Sequence, residues 1–142
     1  MELNGEQIPL LQLAAIGIGN EAVQVSALAW PRILASRNLI EQIVARDGVF
    51  YGINTGFGKL SDVRIPHSEL RQLQLNLVRS HACGIGNPLS EPEVRAMMVL
   101  RANVLTLGLS GIRREVIELL CGMLNRRVCP VVPERGSVGA SG

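Results

Sequence analysis

In GSVGASG, residues Gly136 to Gly142, an alanine, a serine and a glycine follow one another at Ala140, Ser141 and Gly142. A glycine nitrogen carries no hindering side chain, so in a strained turn the nitrogen of Gly142 reaches the carbonyl carbon of Ala140 and closes a five-membered ring. Loss of one water from that ring, and of the Ser141 hydroxyl as a second, leaves an imidazolone with an exocyclic methylene. This is an electrophile made of peptide, which the side chains, mostly nucleophiles, acids and bases, do not otherwise supply. The same residues also fit a flexible Gly-Ser stub, because disorder concentrates at termini.

Two further residues have types suited to such a group. Tyr51, the one tyrosine of the chain, opens YGINTGFG, where Gly52, Gly56 and Gly58 permit close backbone approach and Asn54 and Thr55 add polar tips. To act as a base near neutral pH, a phenol needs its anion stabilised by ~4 kcal/mol, which calls for an electropositive pocket. The alternative is a surface loop with the ring packed as an amphipathic side chain. His81 continues the stripe Leu70, Leu73, Leu77 at helical spacing, which fits a core histidine. Its place at a helix end before CGIG equally lets the ring face a cleft. His67 precedes the same helix near its exposed start and receives no role.

Gly17, Gly19 and Ala22 in GIGNEA fit a dinucleotide fingerprint, with Glu41 at a suitable distance downstream. The context fails it, since PLLQLAAI reads as helix rather than strand and Glu41 falls inside another helical run.

The elements that must position these residues are helical. Apolar residues recur at helical spacing and alternating runs are nearly absent, so the pattern predicts an all-α chain. Helices are expected at about Pro9 to Ile16, at about Ala29 to Arg46 with Pro31 in its first turn and Gly48 ending it, and at about Ser68 to Cys83. Ser90 and Glu93 have capping-box spacing for a helix that Gly108 closes. Ser110 is expected to cap a last helix, Ile112 to about Arg126, before CPVVPERG returns to extended chain.

Charged residues make up 18% of the 142, against a usual ~25%, and mean hydropathy is +0.26. Part of this surface is therefore expected to meet more chain or another subunit. A net charge of +2 with four aromatic rings argues against nucleic acid. No apolar run approaches the ~18 residues of a membrane span, and MELNGEQIPL lacks the basic start of a secretory signal. Cys83, Cys121 and Cys129 match no zinc or redox spacing, so no metal is expected and free buried thiols in a reducing cytoplasm are.

Taken together and in order, YGINTGFG, LQLNLVRSHACGIG, RANVLTLGLSGIRREVIELL and GSVGASG resemble the aromatic amino acid ammonia-lyase family. The resemblance covers most of the chain, more loosely over the first thirty residues. It implies that residues 1–142 form the N-terminal segment of the active-site domain of a large, mainly helical, cytoplasmic enzyme. Members of the family are several-fold longer and assemble as homotetramers. It further implies a 4-methylidene-imidazol-5-one ring formed from Ala140, Ser141 and Gly142, with Tyr51 as the base that removes the substrate's β-proton. His81 and Gly58 would bind substrate. The Ser80-His81 step is most similar to the histidine-specific branch, which implies elimination of ammonia from L-histidine to give trans-urocanate. A tyrosine or phenylalanine ammonia-lyase or aminomutase is the alternative within the family, and a non-catalytic helical interaction module the alternative outside it.

Overall fold

Helix α4 (Glu91–Leu105) organises the chain, and its start explains why. The Ser90 N–H and hydroxyl both donate to Glu93 Oε2, at 2.8 and 2.6 Å, and Pro92 sits in the first turn where no N–H is needed. From that fixed origin Val94, Met98, Val99, Ala102 and Leu105 fall on one face and are buried. Gly108, at φ 72°, ends the run; a Cβ there would lie 2.7 Å from the Arg32 backbone. The computed structural model describes residues 1–19, 21–46, 48–56, 58 and 63–136.

Helix α1 (Leu10–Ile18) lies against α4, with Gly17 so close that a Cβ would be 3.0 Å from Pro92 O. Gly17 thus serves helix packing inside α1, which disposes of the dinucleotide fingerprint. Helix α5 (Arg114–Asn125) packs on α4 through Ile117, Cys121 and Leu124. It ends in a Schellman arrangement, in which Val128 N–H donates to Met123 O and Arg127 N–H to Leu124 O, with Arg127 itself at φ 56°. Leu3, Ile16, Val23, Ala29 and Ile33 complete the core. Helix α2 (Trp30–Ala45) contributes only Ile33 to it, and α3 (Leu70–His81) no buried side chain at all.

The mainly helical expectation holds, with two small sheets added. Strands β1 (Glu2–Leu3) and β2 (Gln24–Val25) pair in parallel, while β3 (Ile85–Pro88) and β4 (Pro133–Arg135) pair antiparallel, Ile85 opposite Arg135. Several boundaries move. Helix α1 starts one residue later and runs to Ile18, and 3₁₀ turns at Ala27–Ala29 and His67–Glu69 precede α2 and α3. Helix α2 stops at Ala45, where Arg46 turns extended, ahead of Gly48. Ser110 does not cap α5; Gly111, at φ 60°, turns the chain and donates its N–H to Ser36 Oγ at 2.9 Å.

The cysteines also divide. Cys121 is buried, and burial first, then the Glu118 charge, pushes its thiol up, so it packs as an inert small hydrophobe. Cys129 is half-buried and Cys83 exposed, contrary to the expectation of three buried thiols. The apolar surface anticipated from composition is present, with Leu10, Leu11, Leu28, Leu109 and Val131 all prominently exposed.

The α4 cap carries a pH dependence. Hydrogen bonds from the Ser90 hydroxyl and N–H hold the Glu93 carboxyl below its ordinary value. A carboxyl lowered on folding contributes stability above its unfolded pKa and loses it as pH falls through the folded one. Glu93→Gln is therefore expected to melt below the parent at neutral pH, with a gap that narrows on acidification. Parallel melting curves across pH 3 to 7 would show the carboxylate to be idle.

Candidate active site

Three segments carry the sequence-derived site residues, and the structure treats each differently. The Tyr51 loop follows α2 and is stapled by its own polar side chains. Asn54 Nδ2 donates to Gly48 O at 2.9 Å and Asn54 Oδ1 accepts the Phe50 N–H at 2.8 Å. Ile65 N–H donates to Asn54 O, Gly56 N–H to Val63 O, and Thr55 bridges Arg64. Asn54 and fully buried Thr55 are thus occupied in shaping the loop and are not tips offered to a ligand. This arrangement presents Tyr51 on the outside of the turn, 66% exposed. Gly52 and Gly58 take φ of 75° and 57°, with no atom of the described residues within 4 Å of where a Cβ would stand.

His81 is the last residue of α3 and is exposed among the described residues. Its stripe neighbours Leu70, Leu73 and Leu77 are half-buried. The ring is oriented by its own helix, with Nδ1 2.9 Å from Leu77 O and 3.0 Å from Ser80 Oγ, while Ser80 Oγ donates to the same carbonyl at 2.9 Å. A carbonyl accepts only, so the neutral ring carries its proton on Nδ1 and leaves Nε2 as a hydrogen-bond acceptor. The Leu77 carbonyl thereby favours this tautomer.

Past His81 the chain runs directly into the β3–β4 ribbon. Cys83 N–H donates to His81 O, Leu89 N–H to Val132 O, and the register sets Gly84 beside Gly136. The end of α3 and the approach to GSVGASG are in this way brought side by side. Ala140, Ser141 and Gly142 themselves lie outside the described residues. Sequence reasoning missed this ribbon, and the polar clamps Arg95, Asn103 and Asn125 that hold the helices beneath it. Asn125, for one, pairs with both the N–H and the carbonyl of Val23, at 2.8 and 2.9 Å.

An open groove of about 920 Å³ runs between α2, the Tyr51 loop, the start of α3 and the turn before α5; Arg37, Glu41, Ile53, His67, Arg71 and Arg113 are among its walls. Neither Tyr51, Gly58 nor His81 lines it. Among the described residues no group of three or more His, Cys, Asp or Glu could hold a metal, and no helix is long and apolar enough to cross a membrane.

Comparison with known proteins adds to this geometry. The histidine ammonia-lyase of Myxococcus xanthus is 51% identical over 140 residues, which is 99% of this chain and 28% of that protein. The crystal structure of histidine ammonia-lyase from Trypanosoma cruzi superimposes with a TM-score of 0.87 at 39% identity, over 96% of this chain and 26% of that one. Tyrosine aminomutase from Streptomyces globisporus gives a TM-score of 0.90 at 32% identity, with the same coverage. The chain thus spans little more than a quarter of the length of the relatives it matches. The alignment reaches nearly its whole length, including the first thirty residues that resemble the family only loosely by eye. The pattern of aromatic amino acid lyases matches residues 8–142, and the chain belongs to that family.

Proposed function

We propose that residues 1–142 are the N-terminal part of the active-site domain of a histidine ammonia-lyase, which eliminates ammonia from L-histidine to give trans-urocanate. The observation that carries this is the 51% identity to a histidine ammonia-lyase over 99% of the chain. The oriented Ser80-His81 pair supports it.

The ring made from Ala140, Ser141 and Gly142 supplies an electrophilic methylene. Its chemistry asks for an unhindered nitrogen, one hydroxyl to lose and a chain brought in under tight constraint. The sequence provides the first two, and Gly136, where a Cβ would stand 2.6 Å from Gly84 Cα, is consistent with the third. The chain's own residues do the rest. The Tyr51 oxygen takes the β-proton as the bond from Cα to the amine breaks, a double bond forms between Cα and Cβ, and ammonia leaves. No oxidant is consumed. His81 Nε2, an acceptor in the neutral ring, receives an N–H of the substrate imidazole, and the backbone of Gly58 lies along the substrate. The working enzyme is a cytoplasmic homotetramer, a reading to which the exposed apolar surface lends support.

The similarity to tyrosine aminomutase favours a second reading, in which the substrate is tyrosine or phenylalanine. His81→Leu in the full-length enzyme separates the two. A hydrogen bond to a charged or polar ligand group is worth ~1.5–3 kcal/mol. Turnover of L-histidine, as kcat/KM, is therefore expected to fall roughly tenfold to a hundredfold, with an unchanged melting temperature because the side chain is exposed. An unaltered preference among histidine, tyrosine and phenylalanine would remove His81 from the substrate site.

A further inference from the structure

Tyr51 stands between two amides that are both held by side chains of its own loop. The Phe50 N–H donates to Asn54 Oδ1 at 2.8 Å, and the Gly52 N–H to Thr55 Oγ1 at 3.3 Å. Asn54 reaches further. Its Nδ2 donates to Gly48 O at 2.9 Å, its own N–H to Phe50 O at 3.2 Å, and its carbonyl accepts the Ile65 N–H at 2.9 Å. One residue thus ties the turn that carries Tyr51 both to the chain leaving α2 and to the segment that leads into α3. The Thr55 hydroxyl in turn donates to Gly56 O at 2.8 Å.

Burial in this loop is the inverse of what apolar packing alone produces. The polar side chains lie inside, Asn54 at 5% and Thr55 at 0% exposure, while the Tyr51 ring is 66% exposed. Packing driven by the ring would bury it and leave the amide in water. Among the described residues no buried side-chain polar atom lacks a partner. A polar network satisfied in this way is stiff and specifies one conformation. Its product here is the direction in which Tyr51 leaves the turn.

We infer that Asn54 is a positioning residue for Tyr51, with Thr55 as its second support. Together they fix the backbone on either side of Tyr51, and with it the place from which the phenol oxygen approaches the substrate's β-proton. The inference rests on the proton-abstracting role of Tyr51 proposed above. Neither side chain enters the proton transfer itself. Their effect is on approach geometry, where a misplacement of ~1 Å costs on the order of 100-fold.

The test is steady-state kinetics of the full-length enzyme on L-histidine, with peptide mass and thermal melting alongside. Asn54→Leu is expected to lower kcat on the order of 100-fold while KM stays within about threefold. The peptide bearing Ala140 to Gly142 should keep the mass of the parent peptide. In a Tyr51→Phe background the same substitution should have almost no further effect, because the group it positions is gone. Thr55→Val keeps the shape without the hydroxyl and should lower kcat roughly tenfold; Thr55→Ser should restore most of that loss. Full additivity of Asn54→Leu and Tyr51→Phe would overturn the inference and make the clamp an element of general stability. So would a parent-like kcat in Asn54→Leu, or failure of Thr55→Ser to rescue. If Asn54→Leu does not assemble, Thr55→Val taken through the same cycle with Tyr51→Phe decides. Parent-like turnover in Tyr51→Phe would overturn the role of Tyr51 as base, and the positioning inference with it.

Discussion

Replacing Ser141 by alanine in the full-length protein is expected to lower turnover on the order of 1000-fold or more while leaving helicity and assembly intact. The change removes one small hydroxyl and no carbon, so it opens no cavity of the kind behind many strongly destabilising substitutions. The chemical effect is of another order. Without that hydroxyl the second water has no source, and no exocyclic methylene forms even if Gly142 closes the ring. The electrophile is required to lower the barrier by several kcal/mol, and each 1.36 kcal/mol is a factor of ten. Peptide mass separates this from any indirect effect. The parent should lack two waters in the peptide bearing Ala140 to Gly142, and Ser141→Ala should not. Full activity in a parent whose peptide has its unmodified mass would end the proposal, and so would parent-like turnover in Ser141→Ala.

What could be read from the sequence was whatever is encoded by neighbours along the chain. The α4 cap needs only Ser90 and Glu93, three residues apart, and its end needs only a glycine at 108; both were legible. Helix stripes specify a face but not what covers it, so Leu70, Leu73, Leu77 and His81 supported a core histidine as well as a cleft residue. Among the described residues α3 buries none of its side chains, and the Ser80-His81 pair folds back on Leu77 O. Asn54 and Thr55 show the reverse failure. Their polarity suggested contact with a ligand, whereas Gly48, Phe50, Val63 and Arg64 close around the loop and turn it inward.

The β3–β4 ribbon was illegible for a physical reason. Strands of three and four residues containing glycine and proline show no alternation, and their pairing joins positions about fifty residues apart. Yet this ribbon is what sets the end of α3 beside Gly136. The motifs that carry the family resemblance were readable one by one, while this pairing was not.

Arg95 is the other residue that only the structure reveals, and its substitution has the largest expected effect on the fold. It sits on the buried side of α4, 1% exposed, where the helical stripe calls for an apolar residue. Its Nε donates to Ile16 O and Gly17 O, both at 3.2 Å, its Nη2 to Ile16 O at 3.0 Å, and its Nη1 to Leu124 O at 2.8 Å. Ile16 and Gly17 belong to the last turn of α1 and Leu124 to the last turn of α5, where the Leu124 carbonyl also accepts the Arg127 N–H. One guanidinium thus serves the negative ends of two helix dipoles and ties both to α4. Two effects oppose each other in Arg95→Met. Removing a buried cation relieves desolvation, which by itself favours the apolar residue. Against that, buried carbonyls of α1 lose their donors at ~1–3 kcal/mol each, and hydrogen bonds from a charged donor are the stronger kind. Solvation by three carbonyls already offsets much of the desolvation, so the loss dominates. We expect a destabilisation of ~3 kcal/mol or more, a large share of the 5–15 kcal/mol typical of a folded protein. Arg95→Lys should fall between, because an ammonium keeps the charge but lacks the planar fork that spans two helix ends. Urea and thermal unfolding measure both variants. An Arg95→Met protein as stable as the parent would mean that the cation contributes nothing net and that apolar packing of α1 and α5 on α4 suffices to hold the scaffold beneath the site.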